Sequence, residues 1–142
     1  SLYVHLPWCV RKCPYCDFNS HAVKGDIPAD EYARSLLKDL QQDLPLGWGR
    51  AVHSVFFGGG TPSLFRAEQI QGLMNGFRSL LRLSPHAEVT LEANPGTIEH
   101  DSFSAYRDAG INRVSLGVQS FSNDSLERGD RPVTFRVRRV WV

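Results

Sequence analysis

Long apolar runs are missing from this chain of 142 residues: no stretch approaches the roughly eighteen needed to span a membrane, and no basic start leads into an apolar leader. The expectation is a soluble, cytoplasmic protein without a transmembrane segment. An excess of one charge is missing too. Sixteen Lys and Arg against fifteen Asp and Glu give a net charge of +1, which offers no electrostatic case for nucleic acid. Internal repeats beyond strand–helix units and low-complexity segments are absent. Cysteine is scarce and odd in number, three in all, which argues against a framework of paired disulfides. An initial methionine is also lacking: Ser1 opens directly into a strand-like run, and the length suits one domain but is short for a barrel enzyme, so an incomplete domain is expected.

What is present is concentrated. All three cysteines fall in Cys9-Val10-Arg11-Lys12-Cys13-Pro14-Tyr15-Cys16. Thiolates are soft ligands, so a tight group of them points to iron–sulfur or zinc. Three thiolates on a cubane of four irons leave one iron with an open position for a substrate or cofactor. The alternative is a structural zinc site with His5 or His21 as fourth ligand. Pro14 pushes Cys13 into extended geometry, so a wrapped loop is expected to present the sulfurs. Arg11 and Lys12 read most simply as solvated charges, or as an attraction for an electron donor protein.

Around that loop the chain alternates strands and helices. Leu2–Leu6 reads as a first strand ended by Pro7, in which Tyr3 is either core or a neighbour of the cofactor loop. Pro28, Asp30 and Glu31 open a helix over about 29–43 that Pro45 stops, and 52–57 alternates as a second strand. Its end, Gly58-Gly59-Gly60-Thr61-Pro62, permits positive φ and close backbone approach to a ligand. A second helix is expected over about 66–82 and a third strand over 87–93, ending at Asn94-Pro95-Gly96. Glu92 at that strand end is placed to accept from ribose hydroxyls, or else to be a solvated carboxylate. Thr97 would cap a third helix carrying Glu99, Asp101, Phe103 and Tyr106 and closed by Gly110; a fourth strand follows over 113–118. Gln119 lies just past it, an uncharged donor and acceptor at the same edge or a cap of the next segment. That next segment should turn helical after Leu126, with Gly129 and Pro132 interrupting it. Successive units of this kind predict an α/β fold, a partial (β/α) barrel of about four parallel strands with crossover helices, with a doubly wound nucleotide-binding sheet as the other option.

The C-x3-C-x2-C spacing resembles that of the radical S-adenosylmethionine (SAM) superfamily. Tyr3-Val4-His5-Leu6-Pro7-Trp8-Cys9, Cys13-Pro14-Tyr15-Cys16-Asp17-Phe18-Asn19-Ser20, Gly58–Pro62, Leu91-Glu92-Ala93-Asn94-Pro95-Gly96 and Gly117-Val118-Gln119-Ser120-Phe121, in that order, resemble its oxygen-independent coproporphyrinogen III oxidase family over about residues 2–126. The resemblance implies a [4Fe-4S] cluster on Cys9, Cys13 and Cys16, with Tyr3, Gly59, Glu92 and Gln119 contacting SAM on the open iron. In the true oxidase, Tyr15, Gly60 and Thr61 would face a second SAM.

The true oxidase has a fourth cysteine where this chain has Phe18. Phe18 is instead similar to the haem chaperone branch, whose members bind haem and pass it to haem-accepting proteins, so a chaperone is expected before an oxidase of porphyrin biosynthesis or a zinc domain. That family continues with further strand–helix units. Residues 1–128 accordingly read as the N-terminal part of a radical SAM core, and 129–142 as a divergent, truncated or frame-shifted tail in which Arg131 has the spacing of a SAM-contacting arginine but not its surroundings.

Overall fold

The structure, a computed structural model, describes residues 1–47, 49–94 and 101–128. Trp48, the turn at Pro95 and Gly96, the expected cap Thr97 with Glu99, and the tail with Arg131 lie outside the described residues. The elements run β1 (Leu2–Leu6), β2 (Trp8–Cys9), β3 (His21–Ala22), α1 (Ala29–Gly47), β4 (Val52–Gly59), a 3₁₀ turn (Pro62–Leu64), α2 (Ala67–Leu80), β5 (Leu83–Ala93), α3 (Phe103–Asp108), β6 (Arg113–Leu116) and α4 (Asn123–Arg128). The four long strands form one wholly parallel sheet in the order β1-β4-β5-β6, the partial barrel wall that the sequence predicts. Among the described residues no helix is long and apolar enough to cross a membrane.

Side chains in a strand alternate between faces. Val4, Leu6, Val55, Phe57, Val89 and Leu91 share one face and pack with Ile70, Leu73, Met74 and Phe77 of α2 and with Tyr106 and Ile111. The intervening residues face the other way, and they are largely polar. Tyr3, Phe56, Thr90 and Arg113 form one row across all four strands; His5 pairs with Gly58, and Glu92 with Ser115, a step further along. Within this face Arg113 Nη1 donates to Thr90 Oγ1 at 3.2 Å, and Thr90 donates to Glu88 at 3.4 Å. A sheet apolar on one side and polar on the other has its core under the helices and its chemistry opposite them.

Several boundaries differ from expectation for local reasons. Pro45 does not stop α1, which continues to Gly47, because Arg50 bonds the carbonyls of Leu46 and Gly47 and satisfies the last turn. Helix α3 starts at Phe103, capped by Ser102, whose hydroxyl accepts from Ala105 N at 3.2 Å. Asp101, expected in its first turn, instead accepts from Ala67 N at 2.6 Å and places an anion at the start of α2. Phe103 is exposed, and Tyr106 carries the buried face. Strand β5 begins at Leu83, four residues early, with a register irregularity against β4. Strand β6 ends at Leu116, where Gly117 N turns to Ala93 O. The last helix runs before Leu126 as well as through it.

Candidate functional site

The cysteine loop is closed at its base by backbone pairing. Parallel β2 and β3 bracket it, with His21 N donating to Pro7 O and Val23 N to Cys9 O, each at 2.8 Å. Cys9 is buried at this base; Cys13 and Cys16 stand further out at the ends of a turn closed by Cys16 N to Cys13 O at 3.0 Å. Pro14 occupies the second position of that turn, the place its fixed φ favours, so the loop wraps as expected. All three thiols are free. Among the described residues no three His, Cys, Asp or Glu side chains are gathered tightly enough to hold a single metal ion. The donor set fits an iron–sulfur cubane by its chemistry, three free soft thiols on one loop, and thiolates bound to different irons need not meet at one point.

The glycine segment lies directly beneath. Gly60 N donates to Leu6 O at 2.8 Å and Thr61 N to Trp8 O at 2.7 Å. A Cβ on Gly60 would fall 2.5 Å from the Trp8 carbonyl oxygen, and Gly59, at φ +114°, would place one 2.7 Å from the His5 ring. The glycines thus permit a close approach to the chain itself, to His5 and to the Trp8 carbonyl. Thr61 is buried, and its hydroxyl accepts from Asn94 Nδ2 at 3.1 Å, which joins the ends of β4 and β5. At the 3₁₀ turn, Tyr106 shares its buried hydroxyl proton between the carbonyls of Phe65 at 2.7 Å and Ser63 at 3.1 Å; burial and then Asp101 push its pKa up to about 12.

Gly58 is flanked by Tyr3 and Glu92: a Cβ there would lie 3.0 Å from the tyrosine ring and 3.1 Å from the carboxylate. Desolvation raises the pKa of Glu92, partly offset by the backbone amide of Gly59. Tyr3 is raised by burial and then by the charge of Glu92, although its ring is more than half exposed and not core. Its hydroxyl meets His5 Nδ1 at 2.9 Å, while His5 Nε2 meets Asn19 O at 2.7 Å. A carbonyl can only accept, so Nε2 carries the proton and Nδ1 accepts from the tyrosine. Both ring nitrogens are thereby engaged with Tyr3 and Asn19, and His21 is exposed on β3.

Gln119 is the sole non-glycine with positive φ among the described residues, at 64°, a strained backbone placed beside Gly117, whose amide is held by Ala93 O at 2.9 Å. Tyr15 and Phe18 are exposed on the loop's outer part. Sequence reasoning weighed His5 only as a metal ligand, and treated Asn94 only as part of a turn. Alternation with Tyr3 on one strand face was the signal for His5.

The radical SAM superfamily profile matches residues 3–139. The chain is 56% identical over 128 residues to the "Heme chaperone HemW" of Escherichia coli strain K12, covering 90% of this chain and 34% of that protein. It is 54% identical over 132 residues to the protein of the same name from Haemophilus influenzae, with the same coverage. It is 40% identical over 129 residues to the mitochondrial "Radical S-adenosyl methionine domain-containing protein 1" of Bos taurus, of which 28% is covered. Among solved structures, coproporphyrinogen III oxidase (HemN) from E. coli, described as a radical SAM enzyme, superimposes with a TM-score of 0.82 at 35% identity, over 93% of this chain and 30% of its own. The chain thus spans about a third of the length of these relatives.

Proposed function

The chain belongs to the radical SAM superfamily, and from that premise we propose that it holds a [4Fe-4S] cluster and SAM as part of a haem-handling chaperone. The observation that carries the reading is the seating of the cysteine loop on the glycine segment, Thr61 N on Trp8 O, with Glu92 and Tyr3 on either side of Gly58 at the same end of the sheet. Cys9, Cys13 and Cys16 would ligate the cluster, which would leave one iron open to SAM and would supply the electron for reductive chemistry on it.

The protein's own groups bind and orient. Glu92, half-buried and kept partly desolvated, accepts from ribose hydroxyls, for which a carboxylate short of water is well suited. Tyr3, with its hydroxyl committed to His5, offers a ring edge and face beside that carboxylate, and Gly59 contributes backbone polar groups at the SAM amino end. The strained Gln119 presents an amide from the end of β6. Tyr15 on the cluster loop stacks on an adenine in this reading, which its exposed ring supports.

Three features favour the chaperone over the oxidase: Phe18 stands where the oxidase has its fourth cysteine, and the E. coli and H. influenzae chaperone relatives are 56% and 54% identical against 35% for the oxidase structure. Burial of Thr61, with its hydroxyl holding Asn94, also leaves it less free to serve a second SAM. The activity, the haem-accepting partners, the electron donor protein and a cytoplasmic location belong to this reading. Haem titration followed by absorbance, alongside turnover of coproporphyrinogen with SAM and a reductant, tests it in the full-length family member: haem binding without turnover is expected there, and turnover would establish the oxidase instead.

A further inference from the structure

After Cys16 the cysteine loop returns through Phe18, Asn19 and Ser20, and all three of these consecutive carbonyls accept from side chains elsewhere. Lys12 Nζ donates to Phe18 O and to Ser20 O, each at 3.2 Å. His5 Nε2 donates to Asn19 O at 2.7 Å. A tight turn, Ser20 N to Phe18 O at 2.7 Å, links the three. Lys12 lies on the outgoing limb between Cys9 and Cys13, so its ammonium is a cross-brace within the loop, where the sequence suggested a solvated charge. His5 reaches the same segment from β1, and its tautomer is set by the Tyr3 hydroxyl. Hydrogen bonds from an ammonium are among the stronger neutral-acceptor bonds, and two from one nitrogen fix the limb in two places.

We propose that Lys12 and His5 are positioning residues that brace the return limb and thereby fix how Cys16 is presented. The limb they hold ends in Ser20, which is buried with its hydroxyl 3.7 Å from Cys16 Sγ and 3.4 Å from Phe18 O. That hydroxyl is within hydrogen-bond reach of the sulfur, and hydrogen bonds to ligating sulfurs tune both the potential and the retention of a cluster. The brace also stabilises the β2–β3 closure, since His21 follows Ser20 directly and Val23 lies two residues beyond His21.

The part concerning cluster retention rests on the cofactor reading, so the test has two arms. In the metal-free full chain, hydrogen exchange is measured at the His21 and Val23 amides for wild type, Lys12→Met, Lys12→Arg and Lys24→Met. Lys24 lines the same groove as Lys12 and controls for charge alone. Lys12→Met should exchange about tenfold faster, Lys12→Arg should largely restore protection, and Lys24→Met should match wild type. Equal exchange in Lys12→Met and wild type, or an equal loss in Lys24→Met, would overturn the brace. In the second arm, reconstituted proteins are compared for iron release to a chelator and for electron paramagnetic resonance line shape; faster release and a changed signal are expected in Lys12→Met. A wild-type chain that takes up no cluster would sink the cofactor reading while the exchange arm still decides the brace; equal release and an unchanged signal would overturn the role in presenting Cys16.

Discussion

Gly60 and the Trp8 carbonyl oxygen are so close that a methyl group at Gly60 would stand 2.5 Å from that oxygen. Both contacts between the glycine segment and the cysteine loop, Gly60 N to Leu6 O and Thr61 N to Trp8 O, depend on this approach. Gly60→Ala must push the loop's base away. The expected cost is about 2–4 kcal/mol of stability, with impaired cluster uptake, read by chemical unfolding and iron content. A variant as stable and as iron-loaded as wild type would show that the contact is dispensable.

Glu92 ties stability to binding with opposite signs. Desolvation raises its pKa from the usual 4.5, so the folded state prefers the protonated acid. Its contribution to stability is present below 4.5 and is lost as pH rises through the higher folded value. Glu92→Gln should therefore stabilise the metal-free chain at neutral pH and flatten that part of its stability–pH profile. SAM binding should weaken at the same time by about 1–3 kcal/mol, through loss of charged hydrogen bonds. A variant that is destabilised, or that binds SAM as wild type does, would remove the carboxylate from this role.

Tyr106 anchors the turn after the glycine segment from below. With its pKa pushed up to about 12, it stays neutral in the folded state while the unfolded chain ionises near 10. Its contribution is full below pH 10 and is lost between about 10 and 12. Tyr106→Phe should cost about 1–2 kcal/mol by removing the hydroxyl that donates to the Ser63 and Phe65 carbonyls, and should remove this alkaline step from the unfolding profile. Persistence of the step would assign it to another group.

Much of the fold was legible because period-2 and period-3.6 patterns record burial. Val4 and Leu6, or Leu73 and Phe77, announce the side that faces the core. The site was legible where covalent spacing carries the chemistry, as in the cysteine loop. It was less so where function depends on what meets what across the sheet. Nothing local in Lys12 shows that its ammonium will find two carbonyls six and eight residues on, and nothing in Gly60 distinguishes an approach to Trp8 from an approach to a ligand. The end of α1 was misplaced because Arg50, beyond the proline, supplies the donors that complete the last turn.

The cluster itself is the most direct test. Anaerobic reconstitution of the chain with iron and sulfide, followed by electron paramagnetic resonance of the reduced protein with and without SAM, should give a [4Fe-4S] signal that shifts when SAM binds. Replacing Cys9, Cys13 or Cys16 with serine should abolish it. A chain that takes up one zinc and refuses iron and sulfide, or a cluster whose signal ignores SAM, would contradict the account.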